Sequence, residues 1–262
     1  MSVHSTAIVD PKAELGDGVT VGPYCVIEAD VVVGSGCEIK SHSILQSFTT
    51  LGPDNKVGPN TILGGPPQDL KFHGEKSELI IGARNIIREG ATIHRATGEG
   101  AVTRIGDDNY LMATSHVGHN CTFGNGITLA SFCGISGFVT IEDFAIIGGM
   151  SGLHQFTTVG TMAMVAAMTR TARDVPPYTI VEGNPGRVRS LNLIGLRRRG
   201  LSAESISSLR AAYADLFAPE AELNVTDAIA KVRAEVPTSP ELERLLTFLE
   251  RIGEGSRGRQ AG

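Results

Sequence analysis

Three of the seven histidines, His116, His119 and His154, are the residues best suited to chemistry, and they share the chain between 116 and 155 with Gln155 and a set of very small residues, Gly118, Gly134, Ser136, Gly137 and Gly152. A neutral imidazole, whose ordinary pKa lies near ~6.5, can take a proton from a hydroxyl at neutral pH. If that hydroxyl attacks an acyl group, the developing oxyanion needs a donor, and an exposed backbone N–H such as that of Gly137 can supply it. No Ser or Cys stands beside His119 in a nucleophile's setting, so direct transfer to a hydroxyl is expected, with no acyl-enzyme and no cofactor.

A repeat of period six gathers these residues. From Ile105 through Leu111, Val117, Phe123, Leu129, Ile135, Ile141, Ile147, Leu153 and Val159 to Val165, every sixth residue is aliphatic or aromatic, and the residue two places before each is mostly small or β-branched. Period six fits neither a helix nor an alternating strand and marks a parallel β-helix of hexapeptide repeats. Three hexads close a triangular coil, so residues eighteen apart stack at the ~4.8 Å strand spacing. His119, Gly137 and Gln155 then form one column, Gly118, Ser136 and His154 the next, and His116, Gly134 and Gly152 a third. The result is a histidine-rich corner lined by Gly and Ser, where a ligand can approach the backbone. A three-histidine zinc site is the rival. It fails on distance, because His154 lies two coils from His116 and His119, about twice the ~4.8 Å spacing, and no carboxylate or Cys completes the set. No metal is expected.

The same ruler runs from Val3 to Leu63, breaks at Gly64-Gly65-Pro66-Pro67, and resumes at Ile81, Ile87 and Ile93. The stretch 64–75 cannot form a coil and must loop out, carrying Gln68, Asp69, Lys71 and His73; a second irregular stretch surrounds Thr97 to Gly100. Cys25, Cys37, Cys121 and Cys133 all take inward positions without a C-x-x-C pair and are read as packing. The 262 residues include 32 Gly and no Trp, which suits narrow coils, and a net charge of -5 offers no general attraction for nucleic acid or an anionic membrane. With no signal peptide and no apolar run of ~18 residues, a soluble cytoplasmic protein without stable membrane insertion is expected. Beyond Val165 the repeat fades. Helices are predicted after Ser202, Thr226 and Ser239, and they would cover the open end of the last coil. The expected organisation is a β-helix over 1–188, a C-terminal α-helical domain over 189–252 and a disordered tail over 253–262.

Several motifs, taken in order, resemble one family. They are Gln68-Asp69-Leu70-Lys71, Ile93-His94-Arg95, His116-Val117-Gly118-His119, the run from Asp143 to Met150, His154-Gln155-Phe156, Asp174-Val175-Pro176-Pro177-Tyr178, Glu182-Gly183-Asn184 and Gly195-Leu196-Arg197-Arg198-Arg199-Gly200. Together they resemble the acyl-[acyl-carrier-protein]–UDP-N-acetylglucosamine O-acyltransferases, which open lipid A synthesis. The resemblance implies a left-handed β-helix, a homotrimer with active sites between subunits, and transfer of a 3-hydroxyacyl chain from acyl carrier protein to the sugar 3-hydroxyl. It implies His119 as general base and the Gly137 amide as oxyanion donor. By the same resemblance Asp69, Lys71, His116, His154 and Gln155 contact the sugar nucleotide, and Asn192, Arg198 and Arg199 hold the nucleotide and its phosphates. Arg187, Arg189 and the run from Arg197 to Arg199 would suit an acidic carrier protein. Ala167 matches the acyl-chain ruler position, where the family often has Gly; its methyl points to a shorter chain.

The sequence departs from the family at four places near the site: Asn120 stands for a common Asp, Phe138 and Pro185 for His, and Ile194 for Glu. His119-Asn120 and Gly134-Ile135-Ser136-Gly137 are also similar to the sister N-acyltransferase, whose uridine-binding domain precedes its repeats, whereas here the repeat starts at Val3. Two further enzymes stay open: one acting on the 3-amino analogue of the sugar nucleotide to give an amide, and one with another acceptor or an acyl-CoA donor. A non-enzymatic β-helix would need neither the excursion loop nor the clustered histidines.

Overall fold

The structure is a computed structural model that describes residues 1–217 and 223–253. The hexads form short parallel strands in three sheets of eleven, nine and eight strands, which are the three walls of a triangular coil. Each strand pairs with the one a full coil later: His116 faces Gly134, and Gly134 faces Gly152. The ladder turns through the backbone of stacked coils, so nearly every strand is saturated from both sides.

The inward positions are those the ruler assigns. Val19, Val21, Cys25, Ile27, Val31, Val33, Cys37 and Ile39 begin an aliphatic column that continues to Val175 and Val181. Where the inward residue is polar, the column supplies its own partners. Asn85 donates through Nδ2 to Asn55 Oδ1 at 2.9 Å, and Asn109 N–H donates to Asn85 Oδ1 at 2.9 Å. The four cysteines are free and buried, and their thiols donate to backbone carbonyls of the coil above, Cys121 to Ser136 at 3.1 Å. Burial pushes the Cys121 thiol up to about 12 and the Cys133 thiol to about 11, so both are inert packing groups. In the first coil Val3 is exposed.

Both excursions leave from one corner of the triangle. The strand Ile62–Gly65 leads into the loop 66–77, and the strand Thr92–His94 leads into the loop 95–101. Gly64 and Gly65, expected to open the first loop, instead end the strand, with a register shift at Gly64. Gly64 adopts φ +81°, and a Cβ there would collide with Thr49, so only glycine serves. The Arg95 side chain staples this region, lying 5.4 Å from the Phe48 ring centroid and 5.0 Å from that of Phe72.

The C-terminal part differs from expectation in three ways. An antiparallel hairpin, Thr179–Gly183 with Gly186–Leu191, ends the eleven-stranded sheet, so strand rather than helix covers that edge and runs across the expected boundary at 188. A short helix α1, Leu193–Arg198, follows it, capped by the Asn192 side chain. Helix α2 spans Ala203–Phe217 with Ser202 Oγ accepting from Ser205 N–H, as expected. Helix α3, Val225–Glu235, is capped by Asn224 rather than Thr226, because the Asn side chain reaches the Asp227 N–H at 3.0 Å. Helix α4, Pro240–Gly253, is capped by Ser239. These helices enclose a second core around Leu196, Leu209, Val232, Leu245 and Leu246. Among the described residues no helix is long and apolar enough to cross a membrane. The rest of the expected tail, beyond Gly253, lies outside the described residues.

Candidate active site

The corner that emits both loops also carries the histidines. Going up it coil by coil, one meets the loop 66–77 with Asp69 and Lys71, then His94, then His116 and His119, then Gly137, then His154 and Gln155. The stacking of Gly137 on His119 is as the spacing implies: a Cβ at Gly137 would lie 2.7 Å from Cε1 and Nε2 of the imidazole. Glycine at 137 is therefore what lets the ring lie over the next coil. Gly134 and Gly152 have open space where a Cβ would go, so the wall beside the histidines is bare backbone.

The neutral tautomer of His119 follows from its neighbour. Asn120 Oδ1 accepts from Thr97 N–H at 2.9 Å, and Asn120 Nδ2 donates to Thr97 O at 3.0 Å. A backbone N–H and a backbone carbonyl have fixed roles, so the amide can face only one way. His119 Nδ1 lies 2.8 Å from Asn120 Oδ1 and must therefore be the donor, which leaves the lone pair of the neutral ring on Nε2. The Asn thus performs the orienting part of a carboxylate's task without its charge. Asn120 sits at φ 58°, a left-handed corner conformation that Asn tolerates well. Phe138 contacts the ring edge-to-face, with centroids 5.3 Å apart, and stacks on Phe156 at 4.7 Å.

The N–H of Gly137 is one of those that no side chain caps. It is the third residue of its hexad, and at the equivalent position Ser47, Ala83, Asp107, Asn125 and Thr161 each donate their N–H to a side chain, those of Glu28, Asp107, Asn125, Asp143 and Glu142. Gly137 has no such acceptor among the described residues. A donor left open beside an imidazole lone pair can receive an oxyanion.

His116 Nδ1 lies 3.0 Å from Thr92 Oγ1, and its ring is 5.1 Å from that of His94. Burial first, and the nearby His94 second, hold the His116 pKa below its ordinary value and keep it neutral. His94 Nδ1 donates to Pro66 O at 2.7 Å, tying the first loop to this cluster. His94 was not among the expected site residues. The eighteen-residue rule places position 98 beneath His116, whereas the second excursion inserts six residues and puts Thr92 there. Asp69 Oδ1 accepts from Lys71 N–H at 3.0 Å and shapes the loop tip, while Lys71 is exposed. His154 lies in the expected column, its Nδ1 donating to Gln155 O at 3.1 Å, and Gln155 is exposed. Among the described residues no three His, Cys, Asp or Glu side chains are placed to hold a metal ion.

Four expected residues do not join this corner within one chain. Ala167 is exposed at a second corner beside Met168. Arg199 belongs to the third corner, where its guanidinium stacks 4.1 Å above Phe144, and Arg198 precedes it in α1. Asn192 is buried; its Oδ1 accepts from Gly195 N–H at 3.1 Å and its Nδ2 donates to Met162 O at 2.9 Å, so it holds α1 against the coil instead of facing a groove.

Comparison with known proteins agrees with this architecture. Residues 12–47 match the bacterial transferase hexapeptide family (six repeats), and residues 174–259 match the family described as Udp N-acetylglucosamine O-acyltransferase; Domain 2. An acyl-[acyl-carrier-protein]–UDP-N-acetylglucosamine O-acyltransferase of Syntrophobacter fumaroxidans is 43% identical over 260 residues, covering 98% of this chain and 99% of its own. The corresponding protein of Thermodesulfovibrio yellowstonii is 42% identical over 249 residues, covering 95% and 96%. The solved structure of a UDP-N-acetylglucosamine acyltransferase from Bacteroides fragilis superposes with a TM-score of 0.93 at 36% identity, covering 99% of both chains. The coil shares the left-handed sense of these relatives. At 42–43% identity along nearly its whole length, the chain belongs to the acyl-[acyl-carrier-protein]–UDP-N-acetylglucosamine O-acyltransferase family.

Proposed function

We propose that this protein transfers a 3-hydroxyacyl chain from acyl carrier protein to the 3-hydroxyl of UDP-N-acetylglucosamine, the first step of lipid A biosynthesis. The observation that carries the catalytic part is the pairing of an Asn120-oriented His119, lone pair on Nε2, with the uncapped N–H of Gly137 one coil above. His119 Nε2 removes the proton as the sugar oxygen attacks the thioester carbonyl, and the Gly137 N–H stabilises the oxyanion. The C–O bond forms in that attack, and collapse of the tetrahedral species restores the carbonyl and breaks the C–S bond. The imidazolium returns its proton to the departing thiolate, so the enzyme ends as it began.

Asp69, Lys71, His116, His154 and Gln155 form the acceptor side of this corner in the proposal, with His116 held neutral by burial. Arg198 and Arg199 serve the nucleotide phosphates, Ala167 limits the acyl chain, and Arg187 and Arg189 extend a basic face for the acidic carrier. Such roles require residues from three different corners of the triangle to meet, which one chain cannot arrange. A homotrimer that brings corners of neighbouring copies together satisfies the requirement, and we include it in the proposal. Asn192 is assigned a supporting place, under α1.

The test is acyl transfer by the purified protein from 3-hydroxyacyl carrier proteins of graded length to UDP-N-acetylglucosamine and, in parallel, to its 3-amino analogue. Ester formed on the first is the expected result. Product on the amino sugar alone would move the protein to amide formation, and no product on either would refute the assignment.

A further inference from the structure

The amide that orients His119 is itself held from a distance. Thr97, whose backbone clamps Asn120, belongs to the second excursion, and that loop is fastened to the first by Glu75. Glu75 Oε1 accepts from Gly98 N–H at 2.8 Å and from Thr97 Oγ1 at 3.2 Å, while Oε2 accepts from His73 N–H at 2.8 Å. Lys76 O accepts from Gly100 N–H at 2.8 Å and closes the same seam. The far end of the seam is anchored too, because Asn120 N–H donates to Thr103 Oγ1 at 2.8 Å. A continuous path of hydrogen bonds therefore runs from the loop that bears Asp69 and Lys71, through Glu75, Thr97 and Asn120, to Nδ1 of His119.

We propose that Glu75 is a positioning residue for the reaction: by seating the second loop on the first, it sets the Thr97–Asn120 clamp and so the tautomer and orientation of His119. The proposal rests on His119 being the base. Its physical content is that the sugar-contacting loop and the base are one mechanical unit. Displacing the loop removes the fixed donor and acceptor at Thr97, frees the Asn120 amide to turn, and lets Nε2 carry the proton it should receive. The backbone donors of Gly98 and His73 hold the Glu75 carboxyl down to about 2, so it accepts these bonds as a carboxylate throughout the neutral range. The Arg95 guanidinium, stapled between Phe48 and Phe72, adds a positive charge on the same side. Glutamine can replace part of this arrangement, since its single carbonyl oxygen can serve Gly98 and Thr97 but its amide nitrogen cannot accept from His73.

The experiment compares wild type, Glu75→Ala, Glu75→Gln, Asn120→Ala and the Glu75→Ala, Asn120→Ala double variant. The readouts are kcat, KM for the sugar nucleotide, and the ¹⁵N resonances of the His119 ring in histidine-labelled protein, which distinguish the two neutral tautomers. Glu75→Ala and Asn120→Ala are each expected to lower kcat by about 10–100-fold, the scale of a misplaced catalytic group. The double variant should be no slower than the worse single, because both break one path. Glu75→Gln should recover kcat to within about threefold while its KM stays raised, and the wild-type ring should be the Nδ1–H tautomer, becoming mixed in Glu75→Ala. A Glu75→Ala enzyme with normal kcat and raised KM would overturn the proposal, as would additive losses in the double variant or an unchanged tautomer. The tautomer is read without turnover. An inactive wild type whose ring still responds to Glu75→Ala would sink the functional reading and keep the link; an active wild type whose ring does not respond would sink the link alone.

Discussion

Two corners of the same triangle share their backbone and differ in what they do with it. At the corner carrying Asp107, Asn125 and Asp143, each side chain accepts the N–H presented by the coil beneath, so that Ala83, Asp107 and Asn125 are capped in turn. At the corner carrying His119 the same rung is Gly137, whose N–H finds no acceptor among the described residues, and the imidazole rising from the coil below lies against it. The first corner spends its side chains on closing the fold. The second leaves a donor, a lone pair and bare glycine walls facing outward, and carries the two excursions that could cover a ligand. A repeat makes this division possible, because the stacked coils supply stability enough to tolerate rungs whose N–H is left uncapped.

The comparison breaks most sharply at the base. His119→Ala is expected to lower kcat by ~10²–10⁴ while the protein stays folded, since the side chain is only half buried and supports no core contact. Normal turnover in that variant would remove the chemical meaning of the corner. Gly137→Ala comes next: its methyl would stand 2.7 Å from the His119 ring, so the ring must move and kcat should fall by ~10². Gly134→Ala separates crowding of a catalytic group from crowding of a ligand. The methyl enters open space, so melting should be unchanged, while KM for the sugar nucleotide rises by ~10-fold, in keeping with the worth of one misplaced methyl in a binding pocket. A melting point that fell with an unchanged KM would mean the groove wall is structural after all.

Much of this was legible in the sequence because a β-helix converts spacing directly into position. From Val21 onward every sixth aliphatic residue found the core, and His119 under Gly137 followed from a separation of eighteen. Legibility ended where the count changed. Below His116 the separation is twenty-four, so His94 and Thr92 entered the site unannounced, and with them the Thr97 clamp on Asn120. The hairpin was hidden for another reason. Glu182-Gly183-Asn184-Pro185-Gly186 reads as a turn, but its flanks include the outward Arg187, Arg189 and Ser190, which mask the alternation that pairs Val181 with Val188. Asn192 shows the limit of polar residue type as a guide: an Asn before a helix is as suited to capping as to binding, and only burial decides. That Ala167 and Arg199 sit on other corners could not be seen from motif order, since order along a coil says nothing of which corner a neighbouring copy faces.

At the capped corner the effects should fall on stability and spare turnover. Asp107→Ala leaves the Ala83 N–H, now paired at 2.8 Å, without its acceptor, and also removes an exposed contact with Arg84. A loss of about 1–2 kcal/mol is expected, because the bond is to a charged acceptor and Ala83 is buried. For a chain of this size that lowers the thermal midpoint by ~2–8 °C, with kcat and KM unchanged. A change in kcat would show that the two corners are not independent.

The smallest expected effect sharpens the comparison through pH, since the open corner holds the half-buried His116. His116 has a folded pKa below the ordinary 6.5, through burial and the neighbouring His94. As pH falls past 6.5 the unfolded chain takes up a proton at this residue before the folded one does. Stability is therefore full above 6.5, declines as pH drops through the interval between the unfolded and the depressed folded value, and levels below it. His116→Gln removes this contribution, so thermal melts from pH 7.5 to 5 should fall less steeply for the variant than for wild type. Parallel curves would mean that the ring is solvated in the folded protein and that the open corner is wetter than its lining of Gly134, Thr92 and His94 implies.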